Sequence, residues 1–159
     1  MLFYSITGAS MILLCGIELS RRLNRSAKQI LDEADRYIVL LRYIRSQIDC
    51  FALPINEILK RADSALLKGC GWADGPPPTS LHILFNSSEI KDEKIKSVLT
   101  EFSEDFGKSY LEDQLRRCDH FLSLLEERRN IIAKELPSKK KLNSTLCISG
   151  ALALIILLI

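Results

Sequence analysis

Histidine is scarce in this chain, and the residues that accompany it in catalytic or metal sites are dispersed. His82 and His120 are the only two. Cys118 and His120 lie two positions apart, which on a helix turns them to different faces, so they make a poor ligand pair. The five cysteines, Cys15, Cys50, Cys70, Cys118 and Cys147, contain no Cys-x-x-Cys pair. An odd, scattered set suits a reducing compartment better than a disulfide framework. There is no Gly-x-x-x-x-Gly-Lys phosphate loop, no Gly-x-Ser-x-Gly elbow and no His-Glu-x-x-His. The acidic pairs Asp32-Glu33, Asp92-Glu93, Glu112-Asp113 and Glu126-Glu127 fall on polar faces. General acid–base work needs carboxylates whose surroundings separate their pKa values in a cleft, so these read as solvated charges. Hairpin turns and solenoid repeats are missing too. These absences argue against an enzyme, a cofactor and a metal.

Strong charge bias is also lacking. All 22 Lys and Arg and 19 of the 20 acids fall within residues 20–141, which leaves that segment at +3. Nucleic acid calls for a basic stripe or a strongly basic domain, so it is not an expected partner.

What the chain does have is apolar ends. Leu2 to Ile17 carries no charge, and Leu142 to Ile159 is a second such run; neither contains proline. A helix needs about 20 mostly apolar residues (roughly 17–25) to cross a hydrocarbon core about 30 Å thick. Both runs sit near the lower limit. A cleaved signal peptide would need a basic segment before the run and a small-residue cleavage step. Neither is present, which favours a retained anchor. Leu154–Ile159 is apolar on every side, which suits lipid better than a core helix with one wet face. The expected organisation is a transmembrane helix over 1–19, a helical domain over 20–141 and a second transmembrane helix over 142–159. Arg21, Arg22, Arg25 and Lys28 follow the first run, and Lys139, Lys140 and Lys141 precede the second. The positive-inside rule then puts the central domain in the cytoplasm and both termini across the membrane. The same seven bases would attract anionic lipid headgroups, at about 1 kcal/mol each near the surface.

Helical periodicity dominates between the ends. Ile30, Ala34, Tyr37, Leu41, Ile44 and Ile48 form one stripe, which Val39, Leu40 and Tyr43 widen. Pro54 suits a first helical position, and Ile55, Ile58, Leu59, Ala62 and Leu66 continue that helix to Gly69. Gly69 to Pro78 is dense in turn formers. Thr79 is placed to cap a short helix with Leu81, Leu84 and Phe85; a polar helix with Ile95, Leu99, Phe102 and Phe106 follows. Gly107 ends it, and Ser109 with Glu112 has capping-box spacing. The long helix beyond repeats every seven residues at Leu111, Cys118, Leu125 and Ile132, and at Leu115, Leu122 and Leu136, with Arg129 interrupting. Such a pattern implies nearly parallel packing on another long helix, and Ile30–Ile48 is the expected antiparallel partner. Pro137 marks a hinge. The fold class is all-α, an antiparallel helical bundle flanked by the two transmembrane helices.

Two features leave alternatives open. Thr145, Ser149 and Ala153 recur every four residues, as do Ser5 and Ala9, with Gly8 and Gly16 nearby. That spacing is either an association face in lipid or chance. Trp72 could meet lipid, a partner or its own domain.

Several segments together resemble the stage III sporulation protein AB family. They are the N-terminal span with Arg21-Arg22, the stretch Leu53-Pro54-Ile55-Asn56-Glu57-Ile58-Leu59, Leu84-Phe85 at a helix start, and Phe106-Gly107-Lys108-Ser109-Tyr110-Leu111-Glu112-Asp113-Gln114. The last is similar to the family's Leu-Gly-x-Ser-Asp-x-x-x-Gln run, with Phe106 and Tyr110 departing from it. A C-terminal span with Gly150 completes the likeness. The resemblance implies a non-enzymatic platform component of the transenvelope channel or feeding complex between mother cell and forespore. It also implies a soluble domain like the cytoplasmic domain of the type II secretion inner-membrane platform protein F. Implied partners are other stage III sporulation membrane proteins and a cytoplasmic secretion-type ATPase, in an oligomer. Arg116, Arg117, Arg128 and Arg129, expected to be exposed on the long helix, are the candidate docking residues. A membrane-tethered adaptor or sensor unrelated to sporulation is the alternative.

Overall fold

A computed structural model describes residues 2–73, 75–106 and 110–158, with the side chains of 2–7, 9, 105 and 157–158 left aside. Among the described residues six helices follow one another: α1 Leu2–Phe51, α2 Ile55–Arg61, α3 Ser64–Gly69, α4 Leu81–Ser87, α5 Glu93–Asp105 and α6 Leu111–Leu158. Among the described residues there is no strand. The chain divides into two units, one of Met1–Gln29 with Ile132–Ile159, the other Ile30–Ile131. Residues 20–29 and 132–141 thus group with the chain ends instead of the central domain.

In the Ile30–Ile131 unit, local chemistry sets where each helix starts and stops. α1 ends where Ala52 turns left-handed, at φ 50, a conformation that usually ends helices at a glycine. Pro54, which disfavours helical geometry at the residue before it, then sits at the N-cap of α2, one position earlier than expected. The single helix expected from Pro54 to Gly69 is two. Ala62 is extended at ψ 139, and the Asp63 side chain caps α3 by accepting from the Ala65 amide at 3.0 Å. A short acid that can satisfy a free backbone N–H in this way competes with helix continuation. Ser80, not Thr79, caps α4, accepting from the Ile83 amide. The capping box over Ser109 and Glu112, and Gly107, fall on residues 107–109, outside those described.

The core is the expected stripe, with changes. Ala34, Tyr37, Leu41, Ile44 and Ile48 are buried, as is Leu40. Val39 is 52% exposed, because it lies on the side of α1 turned away from the rest of the stripe. The short helices contribute Ile58, Leu59, Leu67, Leu84 and Phe85, and α5 contributes Ile95, Leu99 and Phe102. Leu67 replaces the expected Leu66, since the break at Ala62 resets the helical phase. From α6 come Cys118, Phe121, Leu122 and Leu125, three of the expected heptad positions plus one aromatic, whereas Leu111 at the head of the series is 44% exposed and Leu115 is half-buried. Phe102 meets Phe121 edge-on at 5.3 Å, and Tyr37 meets Phe85 at 5.9 Å. Each fully buried large side chain contributes about 1.5–3 kcal/mol. Tyr37 keeps its hydroxyl satisfied by donating to the Cys70 carbonyl at 3.2 Å.

The unit of the chain ends is an antiparallel pair of segments. Gly16 packs so closely on the C-terminal segment that a Cβ there would lie 3.0 Å from the Ala151 Cβ and 3.1 Å from the Cys147 carbonyl oxygen. The close approach therefore uses Gly16, Cys147 and Ala151. Thr145, Ser149 and Ala153 are exposed, no atom of the described residues lies within 4 Å of where a Cβ on Gly8 would sit, and the side chains of Ser5 and Ala9 are outside those described. Next to this contact Ser20 and Ser144 hydroxyls are 3.0 Å apart, and Asn24 reaches Ser144 and Asn143 at 3.4 Å. α6 continues through Pro137 without a break, so the residue is not a hinge between two helices. It removes one helical N–H and crowds the preceding turn, within a helix otherwise formed on both sides. No helix among the described residues is long and apolar enough to cross a membrane. The side chains of 1–7, 9 and 157–159, which belong to the two apolar runs, lie outside the described set.

Candidate functional site

Within the Ile30–Ile131 unit, α1 and α6 run antiparallel, and a line of ion pairs joins them. Arg129 Nε donates to Asp35 Oδ1 at 2.9 Å, Arg42 Nη2 to Glu126 Oε1 at 2.6 Å, and Arg45 Nε to Asp119 Oδ1 at 2.5 Å. Residue numbers rise on α1 as they fall on α6, the antiparallel arrangement expected of these two helices. Between the first two pairs opens a cleft of about 470 Å³, lined by Asp35, Ile38, Val39, Arg42, Glu126 and Arg129. All four charged side chains there are more than a third exposed. Pairs of that kind contribute about 0–1 kcal/mol, so stability alone does not require them. Asp35 and Asp119, by hydrogen bonding, hold the guanidinium pKa values of Arg129 and Arg45 above their ordinary range.

The four arginines expected on one docking face divide by environment. Arg116 is exposed and, among the described residues, reaches Asp113 on its own helix, at 3.6 Å. Arg117 is half-buried and engaged. Arg129 faces the cleft. Arg128 is not an exposed residue: its side chain is 21% accessible and it grips Asp92, 10% accessible, through Nε at 3.1 Å and Nη2 at 2.6 Å. Asp92 also caps α5, accepting from the Lys94 and Ile95 amides. Arg128, then the amides of Ile95 and Lys94, hold the Asp92 carboxyl below its usual range against the opposing effect of burial. Arg128 thus ties α6 to the start of α5, and the sequence offered no sign of it because Asp92 is 36 residues away. Glu33, close by on α1, shows the reverse: burial raises its pKa, only partly offset by the Lys91 amide.

Burial lifts the Cys70 thiol to about 12 and the Cys118 thiol to about 11, so neither is a thiolate nucleophile near neutrality. His120 is exposed beside buried Cys118, as expected from their spacing. Among the described residues no group of three or more His, Cys, Asp or Glu is placed to hold a metal ion. Trp72 Nε1 donates to the Pro76 carbonyl at 3.3 Å, and its amide to the Leu67 carbonyl at 3.0 Å, which anchors the Gly/Pro loop on α3.

In the unit of the chain ends, Arg21 and Arg22 are exposed and share Glu18, at 3.7 and 3.9 Å. Arg25, Lys28 and Lys141 are exposed, Lys140 is half-buried, and Lys139 meets Glu135 at 2.8 Å. An open apolar cleft of about 770 Å³ is lined there by residues including Met11, Cys15, Leu19, Leu146 and Leu154. Sequence reading missed the cluster of Ser20, Asn24, Asn143 and Ser144. Its signal was available: the polar residues stand at matching levels in two segments expected to be antiparallel.

No curated protein and no solved structure matches the chain. A family model described as stage III sporulation protein AB matches residues 79–159, which include α4, α5 and all of α6. That family removes the reading as an adaptor outside sporulation. The match extends over more than half of the chain, from the Ser80 cap of α4 to the C-terminal apolar run, and the chain belongs to the stage III sporulation protein AB family.

Proposed function

We propose that the protein is a non-enzymatic membrane platform component of the transenvelope channel, or feeding complex, between mother cell and forespore. Its helical domain docks a secretion-type ATPase on the cytoplasmic side. The observation that carries this reading is the pairing of two uncharged apolar ends with basic flanks in a chain of a sporulation family. Residues 1–19 and 142–159 are the spans, and 20–141 the cytoplasmic domain on the mother-cell side. Arg21, Arg22, Arg25, Lys28, Lys139, Lys140 and Lys141 lie at the headgroups of anionic lipids. The likeness to the type II platform protein F, the other stage III membrane proteins as partners, and the oligomer belong to the same proposal.

A mount works by presenting a rigid surface, and the paired charges of α1 and α6 supply one. Arg116, exposed and paired with Asp113 of its own turn among the described residues, is the docking residue whose change least disturbs the fold. The test has three parts. Deletion of the gene is expected to block spore formation after engulfment. The full-length protein is expected to stay in membranes through a carbonate wash. Arg116→Glu is expected to reduce co-purification of the ATPase with no change in thermal unfolding. Normal spores, release by carbonate, or unaltered ATPase capture by the variant would each refute the corresponding part.

A further inference from the structure

The α1/α6 cleft carries charges that the stability of one chain does not explain, around an apolar residue that the chain leaves uncovered. Val39 is 52% exposed between Asp35 and Arg42, whereas Ile38 and Leu40 beside it are buried. We infer that this face docks a second copy of the same chain, about a twofold axis lying along the cleft. The pattern of signs carries the inference. At one level the acid is on α1 and the base on α6, in Asp35 and Arg129; at the next the base is on α1 and the acid on α6, in Arg42 and Glu126. The third level, Arg45 with Asp119, repeats the second.

A twofold axis along the cleft sets α1 of one protomer across from α6 of the other at the same level. Asp35 then meets the partner's Arg129, and Arg42 meets the partner's Glu126. Every charge thereby faces an opposite one in the second copy while keeping the one it has, and the two Val39 side chains cover the cleft from both sides. Such an axis also keeps both protomers pointing the same way, as two copies anchored in one membrane must. That last point rests on the membrane-mounted reading; the charge match does not. From Asp35 to Arg45 the face is only about 15 Å long at 1.5 Å per residue. It falls short of the roughly 1,000 Å² that a stable interface in solution needs. Association is therefore weak in dilute detergent and becomes effective where anchoring raises the local concentration.

The experiment uses the full chain in liposomes, with donor and acceptor fluorophores on separate copies, and reads energy transfer against protein density. One variant makes the four charges that line the cleft all basic (Asp35→Arg with Glu126→Arg), and the other makes those four all acidic (Arg42→Glu with Arg129→Glu), the Arg45–Asp119 pair being left in place. Wild type is expected to associate. Each variant alone is expected to associate at least about tenfold more weakly, because like charges then face each other, and an equal mixture of the two should regain transfer. Val39→Asp, which removes no ion pair, is expected to weaken association as well, and helical circular dichroism checks that each variant is folded. Three results would overturn the inference: wild type showing no more transfer than a non-associating membrane protein, folded single-sign variants associating like wild type, or folded variants failing to regain transfer on mixing. A monomeric wild type that still captured the ATPase through this face would assign the face to that partner instead.

Discussion

Asp92→Ala removes two supports at once, and their sizes follow from the structure. The carboxylate caps α5 through the Lys94 and Ile95 amides, and losing such a cap costs about 0.5–2 kcal/mol. It also takes both hydrogen bonds of Arg128, with the pair only 10% and 21% accessible. Breaking a fully buried pair costs about 3–5 kcal/mol, and the partial exposure of Arg128 brings this to about half. The expected total is about 3 kcal/mol. Arg128→Ala leaves the cap in place and is expected to cost less, about 1–2 kcal/mol. At about 4 °C per kcal/mol for a domain near this size, Asp92→Ala should lower Tm by about 10–15 °C, measured on the full chain by far-ultraviolet circular dichroism. A loss under about 3 °C, or a larger loss for Arg128→Ala, would refute the reasoning. The pH dependence has a defined sign. Because the folded Asp92 pKa is lowered, its contribution is complete above about pH 4, near the unfolded carboxylate value, and is lost as pH falls through the folded one. Asp92→Asn should therefore flatten the acid limb. Glu33 acts in the opposite sense, since its raised pKa means that acid relieves a charge that folding disfavours.

Two other outcomes follow from packing. Exposed Cys50 should react with a maleimide at neutral pH, whereas Cys70 and Cys118, buried and with pKa values raised to about 12 and about 11, should react only after unfolding; mass spectrometry of labelled peptides distinguishes them, and native labelling of Cys118 would contradict its place in the core. With Ser20 and Ser144 hydroxyls 3.0 Å apart, Ser20→Cys with Ser144→Cys should form a disulfide on oxidation. Adding Gly16→Val should cut its yield several-fold, because a Cβ there meets the Cys147 carbonyl oxygen at 3.1 Å and overpacking costs about 1–3 kcal/mol. An unchanged yield would mean that the close approach is not needed.

Where the pattern was long and periodic, the sequence was sufficient. The stripe from Ala34 to Ile48 and the heptad positions Cys118, Leu122 and Leu125 are buried as their spacing requires, because a helix repeats every 3.6 residues whatever lies around it. The break at Ala62, the cap at Ser80 and the exposure of Val39 were not legible. Each depends on competition between nearly equal local choices, settled by whichever one lets the short helices pack. The candidate docking arginines show the same divide. Four similar residues on one helix become a half-buried tie at Arg128, a cleft wall at Arg129, an engaged half-buried side chain at Arg117 and an exposed base at Arg116.

By itself the amino-acid sequence determined that this protein is helical, that its ends are apolar with basic flanks, that two long helices run antiparallel, and that it belongs in sporulation. Periodicity, hydropathy and family motifs are properties of neighbouring residues, and each can be read along one chain. Only the tertiary structure decided which acid each arginine meets, that Gly16 makes a close approach to Cys147 and Ala151 while Thr145, Ser149 and Ala153 stay exposed, and that α1 and α6 enclose a charged cleft around an uncovered valine. Those contacts join residues from 36 to well over 100 positions apart, and side chains so distant are brought together by packing, for which linear spacing carries no record.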